Sequence, residues 1–157
     1  MRQNAHIGYG TGMSIVSRVL KASPDQAWEV LADGWLYPLW VVGASRMREV
    51  DDTWPAVGAR LHHSVGAWPA LIDDTTTVVD CRPGSLLSLR ARAWPGGEAG
   101  VTLRLEAHQD GCRVTIEEDA VSGPGVLVPS FVRQPMLHWR NVEALRRFAY
   151  LAERRAS

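Results

Sequence analysis

Apolar and polar positions alternate with a period of two through most of the chain and change to a period near 3.6 only toward its end. That pattern predicts a sheet followed by one long helix. Residues 13–20 form the first alternating run and predict a strand. Ser23-Pro24-Asp25-Gln26 then has the form of a helix start: the Ser23 hydroxyl can accept from the Gln26 amide, the Gln26 side chain can reach back, and Pro24 takes the first helical position. Ala27, Trp28, Val30 and Leu31 give this helix its apolar face, and Asp33-Gly34 ends it. Residues 35–40, interrupted by Pro38, predict a second brief helix or turn. Six further strands are expected at residues 45–51, 59–65, 75–82, 85–93, 101–108 and 112–121, separated by Gly, Pro and Asp clusters. Pro83-Gly84 and Asp110-Gly111 are hairpin signals, so consecutive strands run antiparallel. Beyond Pro135 an apolar stripe of Leu137, Val142, Ala144, Leu145, Phe148, Ala149 and Leu151 predicts a helix reaching about residue 154, with a Glu143–Arg147 pair one turn apart.

A meander with one apolar face and a helix with a matching stripe are most simply satisfied together, by a curved sheet wrapped around that helix. The expected fold is therefore α+β: a seven-stranded antiparallel sheet around a long C-terminal helix, with two short helices after the first strand. Residues 1–12 hold three Gly and little apolar content, so they are excluded as a tail, and residues 13–155 form one domain. A chain of 157 residues, 46% hydrophobic, has material for one substantial core and hardly for two. Seventeen basic residues balance seventeen acidic ones, which removes the charge expected of a nucleic-acid or anionic-membrane binder. No apolar run approaches the roughly 20 residues of a membrane span, and the first twelve residues lack a signal-peptide core. A cytoplasmic protein, monomer or homodimer, without stable membrane insertion, is the expectation. Cys81 and Cys112 are too few for a disulfide framework and have no zinc-ligand spacing, so no metal is expected and both are read as structural. No phosphate-binding glycine motif or nucleophile elbow occurs, and no cofactor is expected.

Chemistry concentrates in a few positions. With Val114 and Ile116 facing inward, alternation puts Cys112, Glu118 and Ala120 on the same face. A carboxyl there needs a partner, and Arg133, Arg140 and Asn141 are the candidates unless a bulge turns Glu118 outward. His62 and His63 are adjacent on a strand and leave opposite faces, so one looks inward and they cannot share a metal. Asn141 interrupts the helical stripe and needs a bonding partner; Arg140, at the stripe's edge, can reach over a pocket mouth or to a carboxylate. Trp40, Trp68 and Trp94 fall near the sheet ends, where flat rings suit apolar or aromatic ligands, whereas Trp28 and Trp139 are assigned to packing.

Several stretches carry a resemblance: residues 23–31 with Trp40, Val57-Gly58 before a strand, Cys112-Arg113-Val114-Thr115, and the closing amphipathic helix. Together with the element order they resemble the START-like (SRPBCC, helix-grip) superfamily. Residues 58–66, Glu117-Glu118 with Gly123-Pro124, and residues 140–153 are similar to a group of actinobacterial polyketide cyclase/dehydrase-like proteins. The resemblance implies a cavity that binds a small hydrophobic molecule of polyketide, aromatic or lipid type. Here the wall would come from Trp40, Trp68, Trp94, Leu87, Leu89, Leu103 and Leu105, and the polar tethers from Glu118, His62 or His63, Arg140 and Asn141. Two alternatives stand beside it. One is a cyclase/dehydrase in which Glu118 or the inward histidine moves protons and Arg140 stabilises an oxyanion; the other is a protein-interaction module with a collapsed cavity.

Overall fold

A computed structural model describes residues 13–66, 68–93 and 97–155. Strand β1 (Ser14–Leu20) is followed by helix α1 (Pro24–Ala32), a 3-10 turn (Gly34–Leu36) and helix α2 (Tyr37–Trp40). Six strands come next: β2 (Ala44–Val50), β3 (Arg60–Val65), β4 (Ile72–Arg82), β5 (Leu86–Ala93), β6 (Gly97–His108) and β7 (Gly111–Ser122). A 3-10 turn (Pro124–Leu127) leads into helix α3 (Ser130–Arg155). All strand pairs are antiparallel in the order β1-β7-β6-β5-β4-β3-β2. The sheet is thus a meander from β2 to β7, with β1 brought back beside β7. This is the expected α+β architecture, the helix-grip fold.

Local chemistry explains the turns. The Gln26 amide donates to Ser23 Oγ at 3.2 Å, and the Ser23 amide donates to Gln26 Oε1 at 2.8 Å, so the capping box at the start of α1 is complete. Replacing Ser23 with alanine is expected to cost about 1 kcal/mol of stability, read from urea denaturation, with no change in ligand affinity. Gly111 opens β7 with φ +138°, and a Cβ there would lie 2.2 Å from the Leu20 carbonyl oxygen, so only glycine lets the β6–β7 hairpin pass under the end of β1.

The core lies between the concave face of the sheet and the inner stripe of α3. Leu61, Val78, Leu87, Leu89, Leu103, Val114 and Ile116 project from the strands, and Leu145, Phe148, Ala149 and Ala152 meet them from the helix. Trp40 stacks edge-on against Phe148, with ring centroids 5.6 Å apart.

Three expectations need correction. Helix α3 begins at Ser130 and passes through Pro135, where a start beyond Pro135 was expected. The missing Pro135 N–H leaves only the Phe131 carbonyl without its helical donor, on an exposed first segment where water can bond it. Trp139 does not pack: it is 65% exposed on the outer side of α3. Val142 also turns outward, because the inner stripe runs through Leu137, Asn141, Ala144, Leu145 and Phe148. Residues 1–12, expected to be a tail, lie outside the described residues.

Candidate functional site

Alternation along β7 carries Cys112, Val114, Ile116 and Glu118 to the concave face, all of them buried, and no bulge intervenes at Glu118. The Glu118 carboxyl, 3% exposed, accepts from the Arg140 guanidinium on α3. Of the three candidate partners, Arg140 is the one that bonds it. Arg133 pairs instead with Asp119 at 3.2 Å and with carbonyls of the turn before α3. The Asn141 amide lies near enough to favour the charged form of Glu118, yet its Nδ2 makes no well-formed hydrogen bond. Burial nevertheless dominates and pushes the Glu118 carboxyl above its ordinary value, with Arg140 and Asn141 pulling it back.

His63 is the inward histidine, 3% exposed on β3. His62 points the other way, toward Asp51, with Nε2 to Oδ1 at 3.4 Å. The two therefore belong to different surfaces, and His62 takes no part in the site. His63 Nε2 lies 2.9 Å from Thr76 Oγ1, which also bonds the Tyr37 hydroxyl at 3.2 Å. Thr76 can reach both because it sits diagonally across the β3–β4 pair from His63, whose direct partner is Asp74. Burial holds the His63 imidazole below its ordinary value, opposed by Asp74, and so keeps it neutral at pH 7. Burial likewise drives the Tyr37 phenol up to about 12, which keeps its proton in place.

Tyr37, His63, Glu118, Arg140 and Asn141 line one cavity of about 120 Å³ between the sheet and α3. Its cause is a row of small side chains. Thr76, Ala91, Ala99 and Ala120 stand side by side across β4, β5, β6 and β7, beside a row in which Leu89, Val101 and Glu118 are neighbours. Where leucine would have met α3, alanine falls short. Tyr37 and Trp40 of α2 close one side, the 41–44 segment and Arg92 lie around the lining, and Arg140, Asn141 and Ala144 face the sheet from α3.

Of the expected site residues, Glu118, His63, Arg140, Asn141, Trp40 and Leu89 come together here. Leu87, Leu103 and Leu105 are buried in the core below the cavity and do not line it. Trp68 stands 85% exposed in the β3–β4 connection, away from the lining, and Trp94 falls outside the described residues. Tyr37 and Thr76 were not anticipated. Tyr37 had a legible signal, since it precedes Trp40 by three residues and so shares its helical face; Thr76 had none, because its role depends on a cross-strand diagonal. Both cysteines are reduced with thiols raised by burial, in keeping with structural roles. Among the described residues there is no cluster of metal-ligating side chains, and no helix is long and apolar enough to cross a membrane.

Solved structures of other proteins share this fold. The protein SA2116 from Staphylococcus aureus superposes with a TM-score of 0.73 at 7% identity, over 92% of this chain and 94% of that one. Protein NE0264 from Nitrosomonas europaea gives 0.73 at 15% identity, over 92% and 96%. The di-domain ARO/CYC StfQ of the steffimycin biosynthetic pathway gives 0.72 at 14% identity, over 92% of this chain and 51% of that one. No curated protein matches the sequence. A family model described as polyketide cyclase/dehydrase and lipid transport matches residues 15–153, almost the whole of the gripped helix and its sheet. The chain belongs to the polyketide cyclase/dehydrase and lipid-transport family.

Proposed function

We propose that the protein binds a small, mostly apolar molecule in the cavity between sheet and α3, tethered at its polar end by Arg140, Asn141 and Glu118. The observation that carries this reading is a carboxyl–guanidinium pair, its carboxyl buried, set beside the apolar Trp40, Leu89, Val101, Ile116 and Ala144. Removing a carboxyl from water costs several kcal/mol unless it is paired, and packing alone would be served as well by a leucine. Titration with a panel of apolar molecules of graded size, followed by tryptophan fluorescence, tests it. Saturation at one equivalent, with a spectral shift lost on Trp40→Phe, is the expected result; silence from every compound overturns it.

A second reading is favoured by the raised Glu118 carboxyl. In a cyclase of this family the carboxylate would take a proton from the carbon between two carbonyls. The enolate carbon would attack a further carbonyl of the same chain, and the resulting alkoxide would take the proton back before water leaves. Arg140 would stabilise the oxyanion. Size argues for binding first: a chain bent for such an attack fills more than about 120 Å³, and pockets for drug-sized molecules run to roughly 300–1,000 Å³. Turnover abolished in Glu118→Gln, with substrate affinity kept, is what the catalytic reading requires; equal turnover removes Glu118 from the chemistry.

The same variant makes a pH prediction. The unfolded carboxyl titrates near its ordinary 4.5, and the folded one higher because burial dominates. Below that ordinary value Glu118 is protonated in both states and its protonation adds no pH dependence. As pH rises from there through the raised folded value, the unfolded chain gives up its proton first, so wild type loses stability relative to Glu118→Gln. Above the folded value the gap stays constant. Urea denaturation of both proteins from pH 4 to 8 measures this, and a gap that grows in the other direction overturns the dominance of burial.

A further inference from the structure

Two polar atoms at the cavity are buried and make no well-formed hydrogen bond: Asn141 Nδ2 on α3, which only leans toward the Glu118 carboxyl, and His63 Nδ1 on β3. Buried donors and acceptors without partners cost free energy and are uncommon, so a pair of them in side chains lining one cavity points to something that the cavity receives. They come from opposite walls: Asn141 sits on the helix beside Glu118 and Arg140, and His63 sits on β3, four strands from Glu118 in the sheet order. Between them the lining is apolar, with Trp40, Leu89, Val101 and Ile116. A cavity of about 150 Å³ lined by apolar side chains holds benzene, and the about 120 Å³ here is of that size.

Resting on the binding reading above, we propose that the occupant is a single six-membered ring, or a chain of equal bulk, carrying oxygen at two separated positions, one met by Asn141 and the other by His63. The Asn141 amide nitrogen only donates, so its partner is an oxygen acting as acceptor: a carbonyl, hydroxyl, phenolate or ether oxygen. His63 is more permissive. Its Nε2 is committed to Thr76, whose single hydroxyl proton can point to the imidazole or to Tyr37. In the first case Nδ1 carries the proton and donates; in the second Nε2 donates to Thr76 and Nδ1 accepts. The second oxygen can therefore be a hydroxyl or a carbonyl. Thr76 is a positioning residue: it touches the histidine and not the ligand.

The test is calorimetric titration with 1,3-dihydroxybenzene, toluene and 1,8-dihydroxyanthraquinone on wild type, Thr76→Val, Thr76→Ser and Asn141→Leu. Wild type is expected to bind the dihydroxy ring at least tenfold more tightly than toluene, the equivalent of one good hydrogen bond. Thr76→Val and Asn141→Leu should each erase most of that preference while leaving toluene affinity within about twofold, and Thr76→Ser should restore it. Melting curves confirm that each variant is folded, and Thr76→Ser, the mildest change, keeps the test open where valine unfolds the chain. Toluene binding as tightly as the dihydroxy ring overturns the two-oxygen occupant and leaves the binding reading standing. Preference for the three-ring compound overturns the one-ring size. Binding of none of the three, with other members of the apolar panel still saturating, overturns this proposal alone; failure of the whole panel overturns both.

Discussion

Replacing Phe148 with alanine should remove about 3–5 kcal/mol of stability, the usual cost of truncating a fully buried aromatic ring. Against the 5–15 kcal/mol that typically separates folded from unfolded domains, such a loss is a large fraction of the total. Phe148 has no exposed surface, sits on the inner stripe of α3, and meets Trp40 in a T-shaped contact. The truncation therefore does two things at once. It takes away the ring that couples α3 to α2, and it leaves empty space behind the tryptophan that walls the cavity. Urea denaturation reads the first effect. The second is read by a larger apolar probe, such as a two-ring hydrocarbon, which should bind the variant better than wild type once Trp40 can retreat. A loss below about 1 kcal/mol would show that the sheet collapses onto the helix without this ring, contrary to the close packing of such cores.

Replacing Arg140 with methionine should cost about 3 kcal/mol at neutral pH, the lower end of what breaking a buried ion pair costs. The lower end applies because the Arg140 side chain is 36% exposed and water already screens part of its attraction. What remains is a carboxyl buried at 3% exposure with its main cationic neighbour gone. Glu118 must then either hold an uncompensated charge or keep a proton at higher pH, so the destabilisation should shrink as pH falls through the folded value and below the ordinary 4.5, where the acid becomes neutral in both folded and unfolded chains. The double variant with Glu118→Gln should recover most of the loss, since the cost lies in the orphaned carboxylate and not in the missing guanidinium. Denaturation midpoints of the four proteins at pH 5 and pH 7.5 form the complete cycle. Additive losses would mean that Arg140 and Glu118 do not act as a pair.

The outer side of the molecule shows where one-dimensional reasoning runs short. Trp139 and Trp68 are large apolar residues, and a count of tryptophans sends them inside or to a cavity rim; both stand in the open. Their neighbours in sequence do not decide this. Residue 139 lies two positions before Asn141, about 200° round a helix of 3.6 residues per turn, and so almost opposite it. Which of those sides faces the sheet is settled by Phe148, Leu145 and Ala144 further along α3.

Much of the architecture is legible because it rests on local rules. A capping box, two glycine hairpins and strict alternation in β7 are matters of a few adjacent residues, and they place the elements, their antiparallel order and the inward direction of Glu118. The sequence by itself determined that, without a bulge, alternation would carry the Glu118 carboxyl to the inner face, where it would need a partner. Only the tertiary structure decided that the partner is Arg140 and not Arg133, that His63 and not His62 looks inward, and that Tyr37 and Thr76 hold it. It also set the size of the hollow, through alanines on strands far apart in the chain that fall side by side in register. The division has a simple cause: side-chain direction follows from the dihedral angles of a single strand, whereas partners and empty volume depend on what another segment brings to the same place.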